Sequence, residues 1–423
     1  MVAVILAGGA GTRMGNLCAE IPKPMVKICG KPILQHQVEA LKKEGITDFI
    51  FIVGHLSQVI ENYFSNGKNL GVNISYYRET VPLGTGGALT KLKLNEDFLL
   101  CNGDLIFDFS LQKMLGFHKE KRALITAFAH PNSHPYDSDL LETDDNFCIT
   151  QIIPKTNRNK DFANLCNAGI HIVSPLAIPK ISEEAKLDFN KDIVSPLVKQ
   201  SKVFAYKSAE YVKDMGTPER LEQVTHDISK GFVAAKNITN PQKAVFLDRD
   251  GTINIHKGFI TSADEMELIA GAAQAINRIH SLGYLAIIIT NQPVIARGEC
   301  SEEELKNIHN RLEALLGKDG AYVDAIYCCP HHPDKGFPGE RSELKIDCDC
   351  RKPKPGMILK AQKDFNIDLK KSYMVGDSER DILAAKNAGC TAVYIGEQKY
   401  DKNVLSFTSL YEFSEHLKET VEL

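Results

Sequence analysis

One arrangement occurs twice along the chain and constrains the fold more than any other feature. A short apolar run stops abruptly at a loop rich in glycine or charge, and a stretch with helical spacing follows. The first run is V-A-V-I-L at residues 2–6, leading into A-G-G-A-G-T-R. The second is A-V-F-L at residues 244–247, leading into D-R-D-G-T. Alternating strand and helix patterns argue for parallel sheets covered by helices, and ligands of such sheets bind beyond the carboxyl ends of the strands. Chemistry is therefore expected directly after each run.

The two occurrences are separated by S-K-G-F-V-A-A-K-N-I-T-N-P-Q at residues 229–242, where apolar periodicity fades and Gly231, Asn237, Asn240 and Pro241 punctuate the chain. The expectation is an α/β chain of two Rossmann-like three-layer domains, one at residues 1–230 and one at residues 243–398. A linker at 231–242 would join them, and a helical tail at 399–423 would follow the second. In the first domain, strands are expected at 2–6, 49–53, 72–77 and 98–101, and helices at 33–43, 58–64 and 88–92. In the second, strands are expected at 244–247, 285–290, 325–328, 372–375 and 391–395. Helices are expected there at 271–282, 302–316, 355–365 and 380–388, with a short one near 410–417.

Composition excludes several classes. The 50 Lys and Arg against 54 Asp and Glu give a net charge of −4, without the basic excess of a nucleic-acid or membrane-surface binder. No apolar run approaches the roughly 18 residues of a membrane span. The opening run is too short and too uncharged at its start for a signal peptide, so it reads as a strand. Eleven cysteines without a secretory signal point to reduced thiols or metal ligands in a cytoplasm.

The first loop places Gly8, Gly9, Gly11 and Gly15 where backbone N–H groups can approach phosphates, and Arg13 adds a planar fork for their oxygens. No Lys follows Gly15, so this is not a P-loop. The glycine after Gly11 comes one residue late for a dinucleotide fingerprint, and no acidic residue ends the second strand. Further along stand Pro22-Lys23-Pro24, the loop Gly84-Thr85-Gly86-Gly87, Asn102-Gly103-Asp104 and Asp214-Met-Gly-Thr-Pro218. This ordered set resembles the sugar-1-phosphate nucleotidyltransferase family across nearly all of residues 1–225; Met14 stands where that family often has Leu. The resemblance implies transfer of a nucleotidyl group from a nucleoside triphosphate to a sugar 1-phosphate, by positioning and charge neutralisation rather than by a protein nucleophile. It implies Arg13 and Lys23 on the triphosphate, Asp104 and Asp214 on Mg²⁺, and Gly84–Gly87 against the base. It also implies Lys155 and Asn167 on the sugar phosphate, although no Glu precedes Lys155.

Asp248 and Asp250 lie two residues apart at a strand end. One can attack phosphorus while the other protonates the leaving oxygen and later activates water. With Thr290-Asn291, Arg351-Lys352-Pro353 and Gly376-Asp377 in order behind them, the set resembles the haloacid-dehalogenase phosphatase superfamily. That resemblance implies Thr290 and Asn291 on the phosphate, Arg351 and Lys352 as cations, and Mg²⁺ held by Asp248, Asp250 and Asp377, with Asp381 beyond.

Between these motifs, C-C-P-H-H at 328–332 and C-D-C at 348–350 bracket a loop without periodicity, and three thiolates with one imidazole suit structural Zn²⁺. The residues alone leave the register open, since Cys328 and His332 are adjacent alternatives. The resemblance of this segment to the heptose bisphosphate phosphatases and histidinol phosphatases selects Cys329, His331, Cys348 and Cys350. Within that branch Pro293 and Val294 replace a Ser-Gly pair, and Ser378 stands where Lys is common.

Together the resemblances imply two consecutive steps on small molecules, heptose phosphates and GTP. Dephosphorylation of a heptose 1,7-bisphosphate at position 7 would come first, and guanylyl transfer to heptose 1-phosphate second. Nucleic-acid and membrane partners are not expected, and self-association is left open. Two alternatives stay open: a fusion acting on another sugar phosphate or nucleotide, and a phosphatase regulated by a nucleotide-sugar-sensing first domain.

Overall fold

The structure is a computed structural model that describes residues 1–9, 21–156, 161–181 and 185–422. The chain folds into two compact units. Residues 1–130, 141–153 and 167–237 form the first; residues 238–423, with the segments 131–140 and 154–166, form the second.

The first unit is organised by a nine-stranded sheet. One side of it is parallel: Phe98–Asn102, Ala3–Leu6, Asp48–Val53 and, at the edge, Asn73–Arg78 lie side by side, with Ile5 opposite both Cys101 and Phe51. Strand Cys166–Val173 then runs antiparallel to Phe98–Asn102, so the sheet is mixed rather than wholly parallel as the alternation suggested. The apolar run at residues 3–5 is flanked by a strand on each edge and covered on both faces; Ala3, Val4 and Ile5 are fully buried. Helix Ile33–Lys43 buries Leu34, Val38 and Leu41 on one stripe against this sheet and stops ahead of Gly45, whose φ of +90° a helix cannot continue. The second glycine loop is itself the helix: Gly84–Gly87 forms one turn, continued as a 3-10 turn over Ala88–Lys91.

The second unit holds a six-stranded sheet, parallel throughout. The order is Ala325–Cys329, Tyr284–Asn291, Lys243–Leu247, Tyr373–Gly376, Thr391–Ile395 and Leu405–Phe407. Helix Glu302–Lys318 opens with a capping box in which Ser301 and Glu304 satisfy each other's backbone N–H groups at 3.1 and 2.7 Å. Helix Ala272–Ser281 buries Ile276 and Ile279 in a core shared with Leu410, Phe413 and Leu417 of helix Leu410–Glu422. The residues expected as a tail therefore supply a strand and a core helix.

The segment expected as a linker is structured. Phe232–Ala235 forms a helical turn, and Asn237 donates to Asp108 in the first unit at 2.7 Å. Gln242 is tied to Asn366 and Asp368 of the second unit by backbone bonds of 2.9 and 2.8 Å. No helix among the described residues is long and apolar enough to cross a membrane.

Two candidate active sites

In the first unit the parallel strands end at a cavity of about 780 Å³. Leu6, Gly8 and Gly9 reach it from the first strand, Gly54 and His55 from the second, Glu79 from the third, and Asn102, Gly103 and Asp104 from the fourth. Close backbone approach explains one glycine: a Cβ on Gly103 would lie 2.6 Å from the Leu6 carbonyl, which already accepts the Gly103 N–H at 2.9 Å. Lys23, held in a 3-10 turn between Pro22 and Pro24, is buried, and its ammonium pairs with the Asp104 carboxylate. Antiparallel pairing of Leu105–Asp108 with Tyr211–Asp214 sets Asp214 opposite Leu105, and the Met215 N–H donates to the Asp104 carbonyl at 2.9 Å. The two carboxylates thus come from adjacent strands. Asp214 also accepts two bonds from Arg220, at 2.6 and 2.7 Å, and one from the Gly216 N–H at 2.8 Å. Asp104 lines the cavity and Asp214 does not; both are hard oxygen donors of the kind a divalent cation takes.

Of the residues expected here, Gly8, Gly9, Lys23, Gly84, Thr85 and Asp104 line one cavity. Gly86 and Gly87 are buried behind it. Asn167 accepts the Gly169 N–H at 3.1 Å, and Gly169 packs against the Asn102 side chain. Gly11 and Arg13 lie outside the described residues. Lys155 is not among the lining residues; it belongs to the 154–166 segment of the second unit and pairs with Asp137 at 3.0 Å. Glu79 and Arg220 were not anticipated. Burial raises the Glu79 pKa above the usual carboxylate range, a bond from the Leu83 N–H only partly opposing it.

The second unit carries a smaller, more heavily charged site. Asp248 follows strand Lys243–Leu247, its N–H donating to the Val375 carbonyl at 2.9 Å. The Lys352 ammonium lies between Asp248 (2.8 Å) and Asp381 (2.6 Å). Donor oxygens of Asp248, Asp377 and Asp381 fall within 4.8 Å of one another. Gly251 permits this closeness, because a Cβ there would overlap the Asp377 carboxylate. Burial and the neighbouring Asp381 charge push the Asp248 pKa up to about 7, with Lys352 opposing. Three carboxylates against one ammonium leave an excess negative charge that a divalent cation such as Mg²⁺ fits.

The Asp250 side chain is not part of this carboxylate cluster, whereas Asp381, expected beyond Asp377, is. The Asp250 carboxylate is taken up by Arg249 at 2.9–3.2 Å, Asn254 at 2.9 Å and Gln292 at 2.9 Å. Burial would raise its pKa, but the Arg249 charge and the bonds from Asn254 and Gln292 outweigh that and hold it low. Arg249 is itself fully buried and backed by His309 at 3.3 Å. Gln292, which also donates to the Thr290 hydroxyl at 2.9 Å, was not anticipated either. Thr290 is buried, Asn291 contacts the Lys352 backbone, and Arg351 donates to the His331 carbonyl at 3.1 Å.

The expected cysteine–histidine set converges. Cys329, Cys348 and Cys350 place their sulfurs 3.2–3.5 Å apart, with His331 Nδ1 3.3 Å from Cys350 and 3.7 Å from Cys329. These are free thiols. Three sulfurs and one nitrogen around a common centre, with no fourth position open, fit structural tetrahedral Zn²⁺.

Residues 2–231 match the family described as nucleotidyl transferase, and residues 349–418 the family described as HAD-hydrolase-like. Among curated relatives, the D-glycero-beta-D-manno-heptose-1,7-bisphosphate 7-phosphatase of Pasteurella multocida is 44% identical over 147 residues, 35% of this chain and 77% of that protein. The Haemophilus ducreyi protein of the same name is 45% identical over 149 residues, 35% of this chain and 79% of its own. Among solved structures, HddC of Yersinia pseudotuberculosis complexed with GMP-PN is 25% identical with a TM-score of 0.47, covering 54% of this chain and 99% of that one. The chain belongs to the nucleotidyl transferase family through its first unit, and the same polypeptide carries a haloacid-dehalogenase-like phosphatase related to the heptose bisphosphate 7-phosphatases.

Proposed function

We propose that the chain carries out two consecutive steps of nucleotide-activated heptose synthesis. The second unit removes the 7-phosphate of D-glycero-D-manno-heptose 1,7-bisphosphate. The first unit then transfers GMP from GTP to heptose 1-phosphate, releasing pyrophosphate and giving GDP-heptose. The observation that carries this reading is the fusion itself. The phosphatase relatives act at position 7 and leave the anomeric phosphate, the group a sugar-1-phosphate nucleotidyltransferase uses as nucleophile.

The geometry supports the following roles. Asp248 attacks phosphorus and carries the phosphoryl group as an aspartyl-phosphate, while Lys352 neutralises the oxygens in flight. Asp250, aimed by Arg249 and Gln292 and held as the carboxylate, takes the proton of the attacking water, and the proton gained there is the one it gives to the departing sugar oxygen of the next turnover. A magnesium ion on Asp248, Asp377 and Asp381 would supply charge neutralisation at the phosphoryl group. In the first unit Lys23 draws negative charge toward the leaving pyrophosphate, with Arg13 in the same role. Asp104 and Asp214 would hold a magnesium ion, which would supply charge neutralisation on the triphosphate. Glu79 supports the choice of base: a carboxylate in the cavity can accept both the N1–H and the N2 amino group of guanine, whereas uracil offers one donor, its N3–H.

A panel of four nucleoside triphosphates against heptose 1-phosphate and hexose 1-phosphates, read by pyrophosphate release, tests the assignment. GTP with heptose 1-phosphate is the expected best pair. UTP or CTP used far better than GTP, or mass spectrometry showing loss of the 1-phosphate from the bisphosphate, would remove it.

A further inference from the structure

Lys352 has an exacting task for so long a side chain. Its ammonium must sit between Asp248 and Asp381 while the lysine itself is only 3% exposed. A lysine stem has four rotatable bonds, so the position of its head group depends on how firmly its backbone is held. The structure supplies a specific holder. Asn291, the last residue of strand Tyr284–Asn291, accepts the Lys352 N–H on Oδ1 at 3.0 Å and donates from Nδ2 to the Lys352 carbonyl at 3.0 Å. Both ends of its carboxamide are spent on one residue.

Asn291 also pairs in the sheet with Cys329, and Lys352 follows two residues after Cys350; both cysteines belong to the thiol set. The lysine is therefore held by the carboxamide on one side and by the cysteine cluster just upstream in its own segment.

We infer that the Asn291 side chain is a positioning residue for Lys352 rather than a ligand of the phosphate. The sequence motif places Asn291 directly after Thr290, which invites the ligand reading; the contacts of its carboxamide point to the lysine instead. The inference needs only that the second unit is a phosphatase. Its test uses p-nitrophenyl phosphate on the full chain, so its failure stays separate from any failure of the heptose assignment.

The test is a double-mutant comparison of Asn291→Ala, Lys352→Ala and the pair. Asn291→Ala should lower kcat/KM for phosphate release about 10- to 100-fold, the scale of a misplaced reacting group. It should divide that loss between kcat and KM in the same proportion as Lys352→Ala does. In the Lys352→Ala background it should add less than a further threefold. A second readout does not depend on turnover: modification of Lys352 by an amine-directed reagent, followed by peptide mass spectrometry. That reaction should speed up at least threefold in Asn291→Ala while exposed Lys354 reacts as before. If Asn291→Ala does not fold, Asn291→Ser takes its place under the same criteria. Losses that multiply in the double variant, or unchanged Lys352 labelling, overturn the inference.

Discussion

The two sites solve a shared problem, neutralising phosphate charge, in opposite ways. In the first unit Lys23 pairs with Asp104 in the wall of a large cavity, and Asp214, which does not line that cavity, pairs with Arg220. Much of the wall is backbone and glycine, which suits a long polyphosphate ligand held at many weak points. In the second unit three carboxylates are packed into a tight knot, and two of them, Asp248 and Asp381, share one lysine. Such a site is tuned for a single phosphoryl group and is unforgiving. The difference teaches where each activity is vulnerable: the phosphatase to the loss of one charge, the transferase to changes of shape and base recognition.

The largest separation should come from Asp248→Asn. Phosphate release should fall by at least about 10³-fold, as expected when a nucleophile is removed, while pyrophosphate release by the first unit stays within twofold. Parallel collapse of both rates in folded protein would dissolve the comparison. Asp104→Ala is the mirror experiment: transfer should fall about 10²- to 10³-fold, and heptose 1-phosphate should accumulate with inorganic phosphate released normally. Cys348→Ser should reduce zinc below about one ion per chain and lower the melting temperature of the second unit by roughly 6 °C or more, sparing the first. Protein purified without chelator and found free of zinc would count against that site.

The smallest effect concerns the base. Glu79→Gln should raise KM for GTP about tenfold and narrow the preference over other triphosphates. The pH dependence has a definite sign. Because burial raises the Glu79 pKa, acidification protonates it sooner than an exposed carboxylate, and the neutral acid loses the paired acceptor. GTP binding should therefore weaken on going from neutral to mildly acidic pH, and Glu79→Gln should remove that dependence. A slope unchanged in the variant would place the titrating group elsewhere.

What was legible in the sequence was whatever is local. Asp248 and Asp250 are separated by one residue at a strand end, and the glycines that crowd Leu6 and Asp377 stand inside short motifs. Partners made by tertiary contact were not legible. Glu79 is one acid after one strand, indistinguishable by pattern from a solvated residue until the cavity closes around it. The partners of the Asp250 carboxylate come partly from its own loop, Arg249 and Asn254, and partly from Gln292 just after another strand, which no local pattern announces. The antiparallel extension of the first sheet and the three-residue strand Leu405–Phe407 escaped for a related reason: short segments gain strand character from the edge they join.

The pairing of Leu105–Asp108 with Tyr211–Asp214 has a temporal side. Asp104 and Asp214 are made far apart on the ribosome, so the transferase centre is incomplete until the Asp214 strand has emerged. Every residue placed here at the nucleotide cavity precedes Asp248 in the chain, so a truncated product ending after residue 237 would still contain all of them.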